Sequence, residues 1–411
     1  MKKTIIFGAV CAVLGVNSLS TWADDSTTPA APAAPATPAA PAGPTAMSTP
    51  AMTFPLVANP NPLNVDAGPL GKIYVTGALT GLGLAQSNAG PNICNGCDKS
   101  TLLDVSNAQV VVQKTDGLWQ FYLQGGGYSF PTVGVPYTRS ADATDASFGI
   151  LPLGYIKLAP GSGAFSLEAG KLPSLFGDEY MFTYEDPNIE RGLLWNQENI
   201  VSRGVQANYT TGPLAFSLSW NDGYYSNKYN WITGSVAWTI NSANSLSFVA
   251  GDNFDKTSPS DNINSAFVPQ NNGSMYNLIY THTSGAWTIE PMLQYQEVQS
   301  NNFTAFGVPF VVSSADAWGT SLLVNYAFNS NWSLPVRAEY ESTSGATNLL
   351  YGPGSKAWSF TITPTYQDKI FFGRFELSYI EANSSTAGDV FSDDGNSTSQ
   401  ARAMLETGII Y

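Results

Sequence analysis

The sequence is poor in the residues on which most enzyme and metal chemistry depends. Its 411 residues include one histidine, His282, and three cysteines, Cys11, Cys94 and Cys97. Zinc sites need several imidazoles or thiolates around one point, and most nucleophilic catalysis needs a base beside the nucleophile. We therefore expect no enzyme active site, no metal site and no cofactor.

Basic residues are also scarce. The chain has 17 Lys and Arg against 31 Asp and Glu, which gives a formal net charge of -14. Proteins that bind nucleic acid concentrate Lys and Arg against the phosphates. Beyond Lys2 and Lys3 no basic run is present, so we expect no nucleic-acid partner.

Long apolar runs are missing, apart from one at the start. The run from Ile5 to Val16 follows two lysines and precedes Thr21-Trp22-Ala23, which places small residues at the -3 and -1 positions of a cleavage site. This pattern predicts a secretory signal peptide over residues 1–23. No later stretch reaches the ~18 consecutive apolar residues of a transmembrane helix, so we expect none in the exported chain.

The segment after the signal peptide is rich in alanine and proline. Residues 24–70 contain TPAAPAAPATPAAPAGPTA and few bulky apolar side chains. Such a composition cannot bury a core and is typical of extended linkers. We predict a largely disordered periplasmic linker; a contact with peptidoglycan or a partner is the less favoured alternative.

From Lys72 onward, apolar and polar residues alternate with the period of a β-strand. Trp358, Phe360 and Ile362, for example, alternate with Ser359 and Thr361. Tight turns rich in Gly, Asn, Asp and Pro alternate with longer polar connections, as in an up-and-down meander. Sixteen segments follow this pattern, near residues 72–84, 101–114, 118–130, 149–159, 164–173, 201–210, 214–222, 231–240, 245–254, 274–283, 286–298, 315–328, 332–343, 355–366, 370–381 and 401–411.

Aromatic residues indicate what the apolar face contacts. One set lies beside the short turns, namely Trp119, Phe165, Trp238, Trp287, Trp332 and Phe371. A second set lies near the opposite strand ends, namely Trp220, Tyr295, Trp318, Tyr340, Trp358 and Tyr379. Two aromatic belts are typical of a membrane-spanning sheet, and lipid tolerates no open sheet edge. We therefore predict an all-β fold: a transmembrane antiparallel barrel of about sixteen strands over residues 71–411, with short periplasmic turns and long extracellular loops.

The stretch from Gly170 to Tyr225 carries a family resemblance. Its pieces GKLPSLFG and NIERGLLW are the most specific, and the chain resembles the OmpL-like β-barrel porin-2 family over roughly residues 70–411. The resemblance implies a pore for small hydrophilic solutes in the outer membrane of a Gram-negative bacterium. It supplies no catalytic motif.

The longest connection, residues 174–200, is the predicted constriction of the pore. A sixteen-strand barrel is wide, and selectivity comes from charges at its narrowest section. Six carboxylates against one guanidinium would favour cations. The charged residues are Asp178, Glu179, Glu185, Asp186, Glu190, Arg191 and Glu198. An exposed acidic loop that contacts divalent ions or lipopolysaccharide is the alternative.

Charged residues of the late strands are expected on the lumen wall. They are Arg337, Glu339, Arg374, Glu376, Arg402 and Glu406. Two interpretations are open. The arginines face the acidic loop across the bore and create a transverse field, or each is neutralised by the carboxylate beside it.

Cys94 and Cys97 form a C-x-x-C spacing in the first long loop. Without a βαβ context or a second ligand pair, a redox or metal role is less favoured than a disulfide that closes a small exposed loop.

The sequence therefore predicts an outer-membrane porin that gives passive diffusion of small hydrophilic solutes or ions, with a preference for cations. Its expected partners are outer-membrane lipid, lipopolysaccharide and the solutes, and a homotrimer is compatible with the fold. Two other classes are less favoured. One is a surface adhesin that displays loops on a barrel. The other is an outer-membrane hydrolase, which would need a histidine near the outer rim of the barrel, whereas His282 is predicted at the inner rim.

Overall fold

The computed structural model describes residues 56–90, 98–161, 164–261, 268–305 and 307–411. The predicted signal peptide, most of the predicted linker, and Cys94 and Cys97 lie outside these ranges. The described residues form twenty strands, numbered in chain order as β1 Leu63–Asp66, β2 Lys72–Gln86, β3 Thr101–Lys114, β4 Trp119–Tyr128, β5 Leu153–Leu158, β6 Phe165–Pro173, β7 Val201–Thr211, β8 Leu214–Asn221, β9 Trp231–Asn241, β10 Asn244–Asn253, β11 Gly273–Ser284, β12 Trp287–Val298, β13 Asn301–Ala305, β14 Val308–Val312, β15 Ala315–Ala327, β16 Trp332–Gly345, β17 Lys356–Ile362, β18 Thr365–Asp368, β19 Phe371–Asn383 and β20 Ser399–Ile410.

The sheet closes on itself, and the predicted barrel is confirmed. Each wall strand pairs antiparallel with the next, and β20 returns to pair with β2 from Ala78↔Ile410 to Gln86↔Arg402. β17 and β18 together form one wall strand, because both pair with β16 and with β19. Pro364, which has no N–H to donate, separates them. The wall therefore has sixteen strands.

The two faces of the wall are opposite in chemistry to those of a soluble protein. Leu103, Ile156 and Leu405 are 79%, 59% and 58% exposed, whereas Gln124 and Glu406 on the inner face are fully buried. Apolar residues outside and polar residues inside are expected when lipid surrounds the barrel. No helix in the described ranges has the length and apolar character needed to cross a membrane.

Both predicted aromatic belts lie on the outer surface. All the rings of the short-turn belt, and all of the long-loop belt except the half-buried Tyr340, are at least 36% exposed. Trp287 and Tyr295 lie eight residues apart on β12, which corresponds to roughly 27 Å along a strand and about 20 Å along the normal of a barrel tilted by about 40°. The belts therefore border an apolar band close to the thickness of an outer membrane.

Several elements were not predicted. β1 pairs with the start of β2, from Leu63↔Val75 to Asp66↔Lys72, and a 3-10 helix Gly68–Leu70 follows it. The last part of the predicted disordered linker thus contains regular structure. β13 and β14 form a separate hairpin, and helix α1 spans Ser140–Ala146.

Candidate functional site

The connection from β6 to β7, residues 174–200, folds into the barrel, and we call it the inward loop. It contains two 3-10 helices, Thr183–Glu185 and Leu194–Gln197. Phe182, Ile189 and Leu193 are fully buried and pack within three apolar clusters. Apolar burial therefore holds this polar loop in the bore.

Hydrogen bonds connect the inward loop to strands on all sides of the bore. Gln124 of β4 donates to the Tyr184 hydroxyl at 2.8 Å, and the Gly177 N–H donates to Asn277 of β11 at 3.3 Å. Gln294 of β12 donates to the Leu194 carbonyl at 2.9 Å, and Ser321 of β15 donates to Asp178 at 3.0 Å. The loop also contacts β16, β19 and β20 through charged residues. It thus crosses the lumen and does not merely line one wall.

Three wall arginines bind the loop directly. Arg374 donates to the loop carbonyls of Thr183, Asp186 and Pro187, and it forms an ion pair with Glu406 at 2.7 Å. Arg402 forms an ion pair with Glu190 at 2.6 Å. Arg337 contacts Glu179 and donates to the Glu190 carbonyl at 2.7 Å.

The three wall carboxylates also accept hydrogen bonds from the loop. Glu376 accepts from the backbone N–H groups of Ile189 and Glu190 at 2.6 and 2.9 Å. Glu339 accepts from those of Leu193 and Leu194 at 2.8 and 3.2 Å. Glu406 accepts from the Thr183 hydroxyl. All six predicted wall residues therefore hold the inward loop in place.

The arrangement differs from a transverse field across an open bore. Arg337 and Arg374 are 0% and 1% exposed, and each has a carboxylate of its own wall beside it, Glu339 at 3.1 Å and Glu406 at 2.7 Å. Within the loop, Arg191 forms an ion pair with Asp186 at 3.2 Å. In the described structure the geometry is thus that of neutralised pairs, but two partners differ from those expected. Arg374 pairs with Glu406 and not with Glu376, and Arg402 pairs with Glu190 of the loop and not with Glu406.

Other bore carboxylates have no basic partner. Among the ion pairs of the described residues, none involves Asp178, Glu185, Glu198, Glu290 or Glu341. One carboxylate oxygen of Glu290 and one of Glu341 are buried without a hydrogen-bond donor. Burial, followed by the charge of Asp178, raises the pKa of Glu198 well above its usual range. The bore carboxyls without a basic partner therefore lie away from the arginines, and burial favours the protonated form of Glu198.

A second segment, residues 129–152, packs on the inward loop. Thr132 forms a parallel bridge with Arg191, and the Val133 N–H donates to the Arg191 carbonyl at 3.0 Å. Tyr351 donates to the Gly134 carbonyl at 3.1 Å. Residues 131–148 show no strand periodicity, so the contacts of this segment with the inward loop were not predicted.

The N-terminal end of the described chain contacts the short-turn mouth of the barrel. The Val57 N–H donates to Gln367 Oε1 at 2.9 Å, and Gln367 Nε2 donates to the Val57 carbonyl at 2.7 Å. Leu56 packs against the apolar cluster that contains Phe182 and Tyr184. Residues 56 and 57 of the predicted linker thus contact the short-turn end of the barrel and the apolar cluster that contains part of the inward loop.

Among the described residues, no group of three or more His, Cys, Asp or Glu side chains has a geometry suited to a metal ion. His282 lies near the short-turn end and interacts with Asn244 at 2.8 Å.

Comparison with solved structures shows the same fold. The in-vitro folded OmpT, an outer membrane protein of Vibrio cholerae, is 12% identical with a TM-score of 0.55, over 84% of this chain and 98% of that one. The anion-selective porin from Comamonas acidovorans is 11% identical with a TM-score of 0.57, over 82% and 99%. The outer membrane channel DcaP of Acinetobacter baumannii is 11% identical with a TM-score of 0.53, over 82% and 97%.

A search of curated proteins found no match. The model of the family described as beta-barrel porin-2, OmpL-like, matches residues 72–411, which include the complete barrel wall. The chain, an outer-membrane β-barrel of the porin type, therefore belongs to the beta-barrel porin-2, OmpL-like family.

Proposed function

We propose that this chain is an outer-membrane porin that gives passive diffusion of small hydrophilic solutes and ions, with a preference for cations. One observation carries the cation preference. The arginines of the described bore are each engaged by carboxylates, whereas Asp178, Glu185, Glu198, Glu290 and Glu341 have no ion-pair partner. When ionised, these carboxylates attract cations and repel anions at the narrowest section.

The test is a reversal potential measured across a planar bilayer. Refolded protein in a potassium chloride gradient should conduct in steady steps and favour potassium. Replacing Asp178, Glu179, Glu185 and Glu190 by the corresponding amides should lower that preference. An unchanged reversal potential would contradict the role of the inward loop as the selective constriction.

One observation favours the second candidate, a barrel that displays loops for recognition. The inward loop crosses the lumen and leaves most inner-face side chains of the described barrel buried. A barrel filled in this way resembles a rigid support for its long loops. Electrically silent bilayers with correctly folded protein would favour display and reject the porin.

The remaining parts of the proposal concern processing and assembly. We propose cleavage of residues 1–23, a periplasmic linker after the cleavage site, a Cys94–Cys97 disulfide, and a homotrimer in contact with lipid and lipopolysaccharide. Sequencing of the mature N-terminus should begin at Asp24. Thiol labelling should require reductant, and light scattering in detergent should give three copies per particle.

A further inference from the structure

The inward loop fills the two sides of the bore unequally. On the β16–β20 side, large charged side chains close the gap between loop and wall, and Arg337, Arg374 and Arg402 are at most 4% exposed. On the β5–β7 side, a cavity of about 30 Å³ remains between loop and wall. Such a volume holds about one water molecule and so leaves space for one small ion.

Carboxylates of the inward loop line this cavity. Glu179, Glu185 and Glu198 all contribute to its surface, beside Tyr180, Trp195 and Asn199. Glu179 is engaged by Arg337 and by the Gly192 N–H. Glu198 differs, because its carboxylate has neither a hydrogen-bond donor nor a basic partner within the described chain, although the residue is only 6% exposed.

The local backbone is adapted to the position of Glu198. Gly177 has a φ of +82°, and a Cβ at this residue would lie 2.0 Å from Glu198 Oε2. Only glycine combines this backbone conformation with so close an approach. The loop therefore places an unpaired carboxylate at the cavity.

Small polar side chains extend from this side of the bore toward the short-turn end. Ser166, Asn208, Ser217 and Ser235 are successive cross-strand partners on β6, β7, β8 and β9. Their outward neighbours, such as Phe216 and Val236, are exposed to the lipid side. Serine leaves more of the lumen free than the arginines and glutamates of the opposite wall do.

We propose that cations cross the barrel along its β5–β9 side, through the cavity between the inward loop and the wall, with the Glu198 carboxylate as the group that binds the passing cation. This inference rests on the proposed porin function and adds the route and the binding group. Glu198, the cavity carboxylate that accepts no hydrogen bond, suits conduction, which requires that the ion bind weakly enough to leave.

The experiment measures full-length refolded protein in planar bilayers with potassium chloride, at an alkaline pH at which Glu198 is ionised despite the raised pKa that burial gives it. Glu198→Gln should lower the potassium-to-chloride permeability ratio by roughly threefold, as expected for one unit charge near the ion in a water-like dielectric. Glu381→Gln removes an equal charge from β19 outside the bore and should leave the ratio unchanged. Equal ratios for wild type and Glu198→Gln would overturn the assignment of Glu198.

A second pair of variants tests the route independently of charge. Ser217→Trp places a large ring in the lumen and should reduce single-channel conductance about twofold or more, in proportion to the passage it narrows. Phe216→Trp, on the adjacent outward position, should not reduce it. The shift in gel mobility on boiling verifies that each variant is folded.

The outcomes separate the two proposals. A conducting wild type with conductance unaffected by Ser217→Trp would reject the β5–β9 route and leave the porin function intact. A folded wild type that does not conduct would reject both.

Discussion

Arg374 offers the sharpest test of how the inward loop is held. Its guanidinium is 1% exposed, and it donates to Glu406 from Nε at 2.9 Å and from Nη2 at 2.7 Å. It also donates to three carbonyls of the loop. Arg374→Met preserves much of the side-chain volume but leaves the fully buried Glu406 without its cation.

The expected cost follows from these contacts. Removing one partner of a buried ion pair costs about 3–5 kcal/mol, because the remaining charge stays buried and unpaired. The loop carbonyls lose charged donors, which adds to the penalty. We therefore expect Arg374→Met to lower the free energy of unfolding by about 4 kcal/mol.

The double variant Arg374→Met, Glu406→Met removes both charges. It still leaves Thr183 and Ser106 without the carboxylate that accepts their hydroxyl hydrogen bonds. The effects of substitutions at two residues in direct contact do not add. The loss of unfolding free energy in the double variant should therefore be smaller than the sum of the two single losses by at least about 2 kcal/mol.

The assay is guanidinium unfolding of protein in lipid vesicles, followed by tryptophan fluorescence. Lys114→Met is the control, since Lys114 pairs with the largely exposed Asp116 at a short turn. That change should cost less than about 1 kcal/mol. The reasoning is refuted if Arg374→Met is no more costly than Lys114→Met, or if the double variant is additive.

Three further predictions concern the loop and its neighbours. Gly177→Ala should lower the free energy of unfolding by about 1–3 kcal/mol, because alanine is strained at positive φ and contacts the Glu198 carboxylate; equal denaturation midpoints would contradict this. Gln367→Leu removes both hydrogen bonds to Val57 and should speed protease cleavage after Leu56, while cleavage elsewhere stays unchanged. Burial, followed by the charge of Asp186, raises the pKa of Glu185 in the loop from 4.5 to about 8. Folding therefore favours the protonated form of Glu185. The contribution of this protonation to the stability of the folded state is complete below pH 4.5 and is lost as the pH rises through about 8. Cation preference should accordingly increase as the pH rises through about 8, where Glu185 ionises in the folded protein, and a reversal potential independent of pH would disprove the assignment.

The barrel was predictable because lipid constrains every wall strand in the same way. Alternation in segments such as Trp358–Ile362 is local, and the observed wall strands match the sixteen expected segments closely. The hairpin of β13 and β14 was missed because Val308–Val312 is a continuous apolar run without alternation. Helix α1 was missed because it is short and has no side-chain cap.

The charged residues of the bore were predictable as a set, but not their partners. The alternation of side chains along each strand predicts which charged residues point into the barrel, and the length of the connection 174–200 identifies the loop. The contact between Leu193 and Glu339 joins residues 146 positions apart, and that between Thr183 and Glu406 joins residues 223 positions apart. Periodicity carries no information about such distant contacts.

The barrel fold alone does not determine ion selectivity. The anion-selective porin from Comamonas acidovorans shares the fold at 11% identity. A common barrel therefore does not determine which ion passes, and the cation preference proposed for this chain depends on individual side chains such as Glu198.

The distant contacts of the inward loop have a consequence for assembly. Residues 174–200 leave the secretion machinery well before β16, β19 and β20, which carry Glu339, Glu376 and Glu406. Until those strands arrive, the N–H groups of Ile189 and Leu193 have no wall carboxylate to receive them, and Arg402 of β20 in turn depends on the loop for its partner Glu190. The contacts of the loop with these strands can therefore be completed only after the strands are present, and long-range pairing of this kind is slow. A chain truncated before β19 would lack both Glu376 and Glu406, so its inward loop would lose the hydrogen bonds that these two carboxylates accept.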